Sequence, residues 1–248
     1  RTVRRVAEAF AWGAFAGAAL IVGAVAGLWL PFSPRLVGIV MAVGAGVLIS
    51  AVAFDLVEEA VDTANGERVV ALGLAAGALT FFAGDWWIDR MGGADRKTME
   101  GPQEEGSGLA IVLGAVLDGI PESIVLGLTL LGGGGVSIAF VAAVFISNLP
   151  EGLAASTGLK ASGWSAGRIV ALWTGITLVS AVAALAGYGL FDTASAGTVA
   201  FMLAFAGGAV LTMLADTMMP EAFDKAGPLV GLFTTAGFSM AFALHLIE

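Results

Sequence analysis

Apolar residues occupy eight long blocks of the chain, roughly 8–30, 35–62, 67–91, 107–131, 134–158, 165–190, 196–223 and 228–247. A helix needs roughly 20 apolar residues to cross about 30 Å of hydrocarbon, so each block predicts one transmembrane helix. The breaks between blocks carry turn chemistry. Pro31 and Pro34 mark the first, Asn65-Gly66 the second, Gly132–Gly135 a tight hairpin, and Ser162-Gly163 and Gly227-Pro228 later turns. The stretch from Gly92 to Gly106 is the longest polar run and reads as the main loop. Loops this short leave no room for a second folded unit, which predicts a single transmembrane domain over 1–248. Arg1, Arg4 and Arg5 precede the first apolar run as they would in a signal peptide. No convincing cleavage site follows, and the run reads as a true first span.

Composition sharpens this picture. The 248 residues are 58% hydrophobic and 12% charged, with a mean hydropathy of +0.93. Soluble domains are near one-quarter charged, so a water-soluble enzyme is excluded, and so is disorder. The 36 glycines follow no G-X-Y period, which removes collagen. With no cysteine, there is neither a disulfide framework nor a thiolate site. A single histidine, His245, rules out any site needing two imidazoles from one chain. The expected class is an all-α, polytopic membrane protein with the lipid bilayer as partner and no nucleic acid. Its expected location is the plasma (inner) membrane of a prokaryote. With the N-terminus outside, inner connections hold Arg35, Arg90, Arg96, Lys97, Lys160, Arg168 and Lys225, against Arg1, Arg4, Arg5 and Arg68 outside. That excess predicts outward termini. Small residues four apart, Gly13/Gly17, Gly23/Gly27 and Gly73/Gly77, permit close helix contact in lipid.

The candidate chemistry lies in acids placed where acids are expensive. Asp55, Glu58 and Glu59 lie in the second block, Asp85 and Asp89 in the third, and Asp118 and Glu122 in the fourth. Glu151 lies in the fifth, and Asp216 and Glu221 in the seventh. One acid at the bilayer centre costs roughly 2.5–3.5 kcal/mol, and three together on the order of 10 kcal/mol. That rivals the stability of a typical fold. The blocks hold almost no Lys or Arg to offset it, which leaves protonation or a bound cation.

Two segments align on Pro-Glu: L-D-G-I-P-E-S at 117–123 and I-S-N-L-P-E-G at 146–152. A third Pro-Glu stands at Pro220-Glu221. Asp118 and Glu122 share a helix face, as do Ser147, Asn148 and Glu151, and all five present oxygen. Each proline removes an N–H and displaces the carbonyl four residues back, at Leu117 and Ile146. Such carbonyls are tolerated in lipid where they line a polar cavity, so the fourth and fifth helices are expected to be broken and to line a central metal site. The donors are carboxylate, amide, hydroxyl and carbonyl oxygen, which suit magnesium, calcium, manganese or ferrous iron better than they discriminate zinc. Asp118, Glu122 and Glu151 balance one divalent ion with one negative charge left over. With two ions, Glu122 and Glu151 are the natural bridges.

At these motifs the chain resembles the ZIP family (Zrt/Irt-like divalent metal transporters). The matching strings are D-G-I-P-E-S at 118–123 and S-N-L-P-E-G at 147–152, with further likeness at 41–60 and 213–222. The resemblance implies eight spans, outward termini and transport of zinc, iron or manganese towards the cytoplasm by an elevator-like motion of one helix group past another. It places Asp118 where the family has its first metal-binding His and Gly119 where it has Asn. Glu122 and Glu151 match the two metal-binding glutamates. Ser147 and Asn148 stand where His or Gln, and an acid or amide, are common. The family's His-rich third loop is replaced by Asp95, Glu100, Glu104 and Glu105, an acidic, solvated stretch. A homodimer is a further expectation, from the family and from exposed small-residue faces.

Asp55, Glu58 and Glu59, and likewise Asp216 and Glu221, are expected either to form an entrance or exit relay or to lie at the membrane surface. Met213 reads as core packing and His245 as interfacial. Trp29, Trp86 and Trp87 read as interfacial belt residues. The competing functions are a non-transporting ZIP-like metal sensor, a proton-coupled carrier of another solute, and an intramembrane aspartyl hydrolase, for which no flanking motif is present.

Overall fold

Apolar blocks in lipid must satisfy their own backbone hydrogen bonds, and a helix does so within one segment. The computed structural model describes residues 2–64, 66–93, 107–132 and 135–247, and its elements are all helical. Asn65, the hairpin's Gly133 and Gly134, and the acidic stretch Asp95, Glu100, Glu104 and Glu105 lie outside the described residues. The helices are α1 (Thr2–Trp29), α2 (Pro34–Ala51), α3 (Glu59–Thr63), α4 (Glu67–Ile88), α5 (Ser107–Thr129), α6 (Ile138–Ala161), α7 (Ala166–Phe191), α8 (Ala196–Met213), α9 (Met219–Ala226) and α10 (Val230–His245). Serine starts four of them. Ser33, Ser137, Ser165 and Ser195 accept from the backbone N–H three residues on, beginning α2, α6, α7 and α8.

Seven helical stretches among the described residues are long and apolar enough to cross a membrane, as an integral membrane protein requires. The last, Ala196–His245, is 50 residues long and contains both of the final expected blocks. Within it α9 stops at Gly227, whose φ of 68° suits a residue without a Cβ. α9 runs against α2, with Gly38 beside Ala222 and Lys225 and Gly44 beside Met218. α10 runs along α2 in the same direction, with Gly46 beside Thr234 and Phe54 beside Phe242 and His245. The chain therefore reverses at Gly227.

The expected breaks in the fourth and fifth helices are absent. α5 continues through Pro121 and α6 through Pro150. Each proline forfeits one hydrogen bond, and the rest of each helix continues through it. The irregular turns lie elsewhere. A π-turn, Val52–Glu58, joins α2 to α3; another, Leu214–Met218, joins α8 to α9; a third, Asp89–Gly93, follows α4.

The helices pack as two bodies. In one, α1 lies along α6 and α7, and α5 lies along α7. In the other, α4 lies along α8, and α2 along α9 and α10. The bodies meet chiefly where α2 crosses α6 and α5 crosses α8. Each body is joined by reciprocal glycine pairs: Gly23 with Gly152, Gly127 with Gly187, Gly77 with Gly208, and Gly46 with Gly237. In every pair each glycine stands against the carbonyl three residues before its partner, so that a Cβ would collide with backbone. This is the close approach that Cα–H···O contacts require. At the seam Gly44 meets the Met218 methyl and the Ser147 Cα, and Gly84 meets the Leu117 side chain, both without such overlap. The small-residue pairs at 13/17, 23/27 and 73/77 all face neighbours within the chain, so they are not the exposed faces expected for a homodimer.

One fully buried polar pair lies inside the first body. The Trp173 indole N–H donates to Ser156 Oγ at 2.7 Å, and both residues are fully buried. Ser156→Ala is expected to lower unfolding stability by about 1–3 kcal/mol, the cost of an orphaned buried donor. Denaturant unfolding in micelles, followed by tryptophan emission, measures it.

Candidate metal centre

α5 places Asp118 and Glu122 one turn apart on the side facing α2 and α8, 4% and 1% exposed. α6 places Ser147 and Asn148, each 6% exposed, and the half-buried Glu151 on its inner side. All five line one cavity of about 20 Å³, and α9 adds Glu221. A water molecule needs roughly 10–15 Å³ measured this way, so the space suits a single small species. Local bonds orient two of the donors. The Asn148 amide N–H donates to the Ala16 carbonyl at 3.2 Å, which leaves its oxygen for the cavity. Ser147 Oγ donates to Val144 O at 3.0 Å, which leaves its lone pairs. Lys225 Nζ stands 3.5 Å from Glu221 Oε2 and offsets part of that charge. Among the described residues, no three acidic or imidazole side chains converge as a preformed ligand cluster.

No family model matches the chain. A curated protein of Arabidopsis thaliana, described as a "putative zinc transporter", is 30% identical over 215 residues, covering 85% of this chain and 34% of that protein. The chain is therefore similar to that protein over most of its own length, and spans about a third of that relative's length.

A second, wider cavity of about 730 Å³ opens where α3, the start of α6 and the end of α10 meet. Asp55, Glu59, Ser137 and His245 line it. Ser137 Oγ donates to Asp55 Oδ1 at 2.8 Å while accepting from Phe140 N, so one hydroxyl caps α6 and ties it to the other body. His245 stacks on Phe54 and brings Nδ1 to 3.9 Å from Asp55 Oδ1. The expected relay acids do not stay together. Asp55 and Glu59 face this vestibule, whereas Glu58 is exposed and lines neither cavity, because the π-turn shifts the α-helical face. Asp216 is likewise exposed and separated from Glu221, which belongs to the central cavity.

The sequence reading misses Met41 and Met218, and treats Met213 as packing; all three line the central cavity. Met213 and Met218 are five apart, a spacing that does not share an α-helical face. The π-turn between them has i→i+5 bonding, which brings such residues over one another. His245 lies 190 positions from Asp55, and no local signal in the sequence couples them.

Proposed function

We propose that the chain carries a divalent metal cation across the bilayer towards the cytoplasm, binding it in the cavity between α5, α6 and α9. The cargo is zinc, iron or manganese. The observation that carries this reading is that Asp118, Glu122, Ser147, Asn148 and Glu151 all line one small buried cavity, together with Glu221. Several carboxylates buried at membrane depth are costly, and a divalent ion relieves that cost. The similarity to a zinc-transporter relative points the same way and favours a carrier over an enzyme.

The two-body packing supplies a route. Backbone-to-backbone glycine contacts lie within each body, and the cavity lies at the seam between them. Sliding at the seam would expose the cargo to one side and then the other without breaking a glycine pair. The vestibule, with Asp55 and Glu59, would lead ions to or from the seam. In this reading Ala196–His245 makes two passes, turning at Gly227-Pro228, so that eight helices cross a single transporter domain and both termini face outward.

The test is flux in proteoliposomes against zinc, iron, manganese, magnesium and cadmium. Uptake of at least one transition metal above empty vesicles is expected. Uptake of none would overturn the proposal, and binding without uptake would favour a sensor.

A further inference from the structure

We propose that Met213 and Met218 are sulfur ligands to the cargo, and that they set the central cavity's preference for thiophilic divalent cations such as zinc and cadmium over magnesium and calcium. The inference rests on the reading of that cavity as the cargo site. It names what the oxygen donors alone leave open. Carboxylate, amide and hydroxyl oxygens favour hard ions, and thioethers favour soft ones. With no cysteine in the chain and the one histidine in the other cavity, methionine is the cavity's only soft donor.

Placement supports the assignment. Met213 and Met218 are 5% and 6% exposed, and both line the same cavity as Asp118 and Glu122. They face it together because the π-turn Leu214–Met218 overrides the α-helical spacing. π-turns occur mostly as single-turn bulges inside α-helices, and such bulges are frequent at functional sites. The Met218 methyl rests beside Gly44, where the missing side chain leaves the thioether room to adjust. A neutral sulfur also adds a ligand without adding a fourth or fifth negative charge to walls that already carry several.

The ordinary role of a buried methionine is filling space, and Leu fills the same space without sulfur. The experiment therefore compares the purified full chain with the Met213→Leu/Met218→Leu variant, both loaded with cadmium in a sulfur-free detergent. X-ray absorption at the cadmium edge reads the ligand atoms. Because the chain has no cysteine, any sulfur shell comes from methionine. The expected result is a mixed oxygen and sulfur shell in the parent chain, with the sulfur lost or reduced in the variant and the oxygens retained. In proteoliposomes the variant's preference for cadmium over manganese falls by about tenfold or more.

An oxygen-only shell in the parent chain would overturn the inference, and so would a sulfur shell that survives both substitutions unchanged. The transporter reading fails separately: a sulfur shell with no flux of any cation leaves the ligands in place and removes transport. Absence of bound cadmium in the parent chain overturns both.

Discussion

Glu122→Ala is expected to reduce divalent metal uptake to the level of empty vesicles. Glu122 is 1% exposed and lines the central cavity with Asp118 of α5 and Glu151 of α6. Loss of a partner that merely supports a metal ligand typically costs 10–100-fold in affinity or activity, so loss of a central carboxylate is expected to cost about 100-fold or more. Folding should not suffer in the same way. Removing one of several like charges from a dry interior relieves repulsion, so the metal-free variant is expected to unfold no more easily than the parent. The distinguishing measurement is the metal-induced rise in melting temperature. A ligand at a hundred times its dissociation constant stabilises the folded state by about 2.7 kcal/mol. The parent should show such a rise with its cargo metal, and the variant should not. Unchanged uptake by Glu122→Ala would remove the cavity from the pathway.

Gly77→Ala is expected to be the most damaging of the conservative substitutions. The new methyl would overlap the Phe205 carbonyl oxygen on α8, an atom that cannot move without displacing its helix. Overpacking of this kind typically costs about 1–3 kcal/mol, and a backbone neighbour places it at or above the upper end. Gly46→Ala, against the Thr234 carbonyl, should behave alike. Gly175→Ala is the control: it lies inside α7 with nothing within 4 Å of the added carbon. There the change should be neutral or stabilising by about 0.5–1 kcal/mol, through helix propensity. Yield and thermal unfolding of the three variants in micelles report the contrast. Equal behaviour of Gly77→Ala and Gly175→Ala would contradict the close approach of α4 and α8.

Hydropathy alone locates the helices, because in lipid an apolar block has no other stable form. The turn residues are equally legible: the serines at 33, 137, 165 and 195 start helices, and Gly227 ends one. The Pro-Glu register brings Asp118, Glu122, Ser147, Asn148 and Glu151 to one place, because spacing on an α-helix fixes a face. Where the helix departs from that spacing, the reading fails. Glu58 leaves its neighbours Asp55 and Glu59 at one π-turn, and Met213 joins Met218 at another. The prolines mislead in the opposite direction, since α5 and α6 run through them unbroken. Long-range partners such as His245 and Asp55 depend on how α10 lies along α2, which no local pattern encodes.

The π-turn at Leu214–Met218 makes chain length itself part of the cavity. It holds one residue more than ordinary α-helix would over the same turn. Were the same residues to relax into α-helix, everything after them would turn by about 100°. Glu221 and its companion Lys225 would then swing away from the central cavity, although every letter of the sequence was intact. Substitutions in this stretch exchange one side chain for another, whereas a change of helix type re-aims a whole wall.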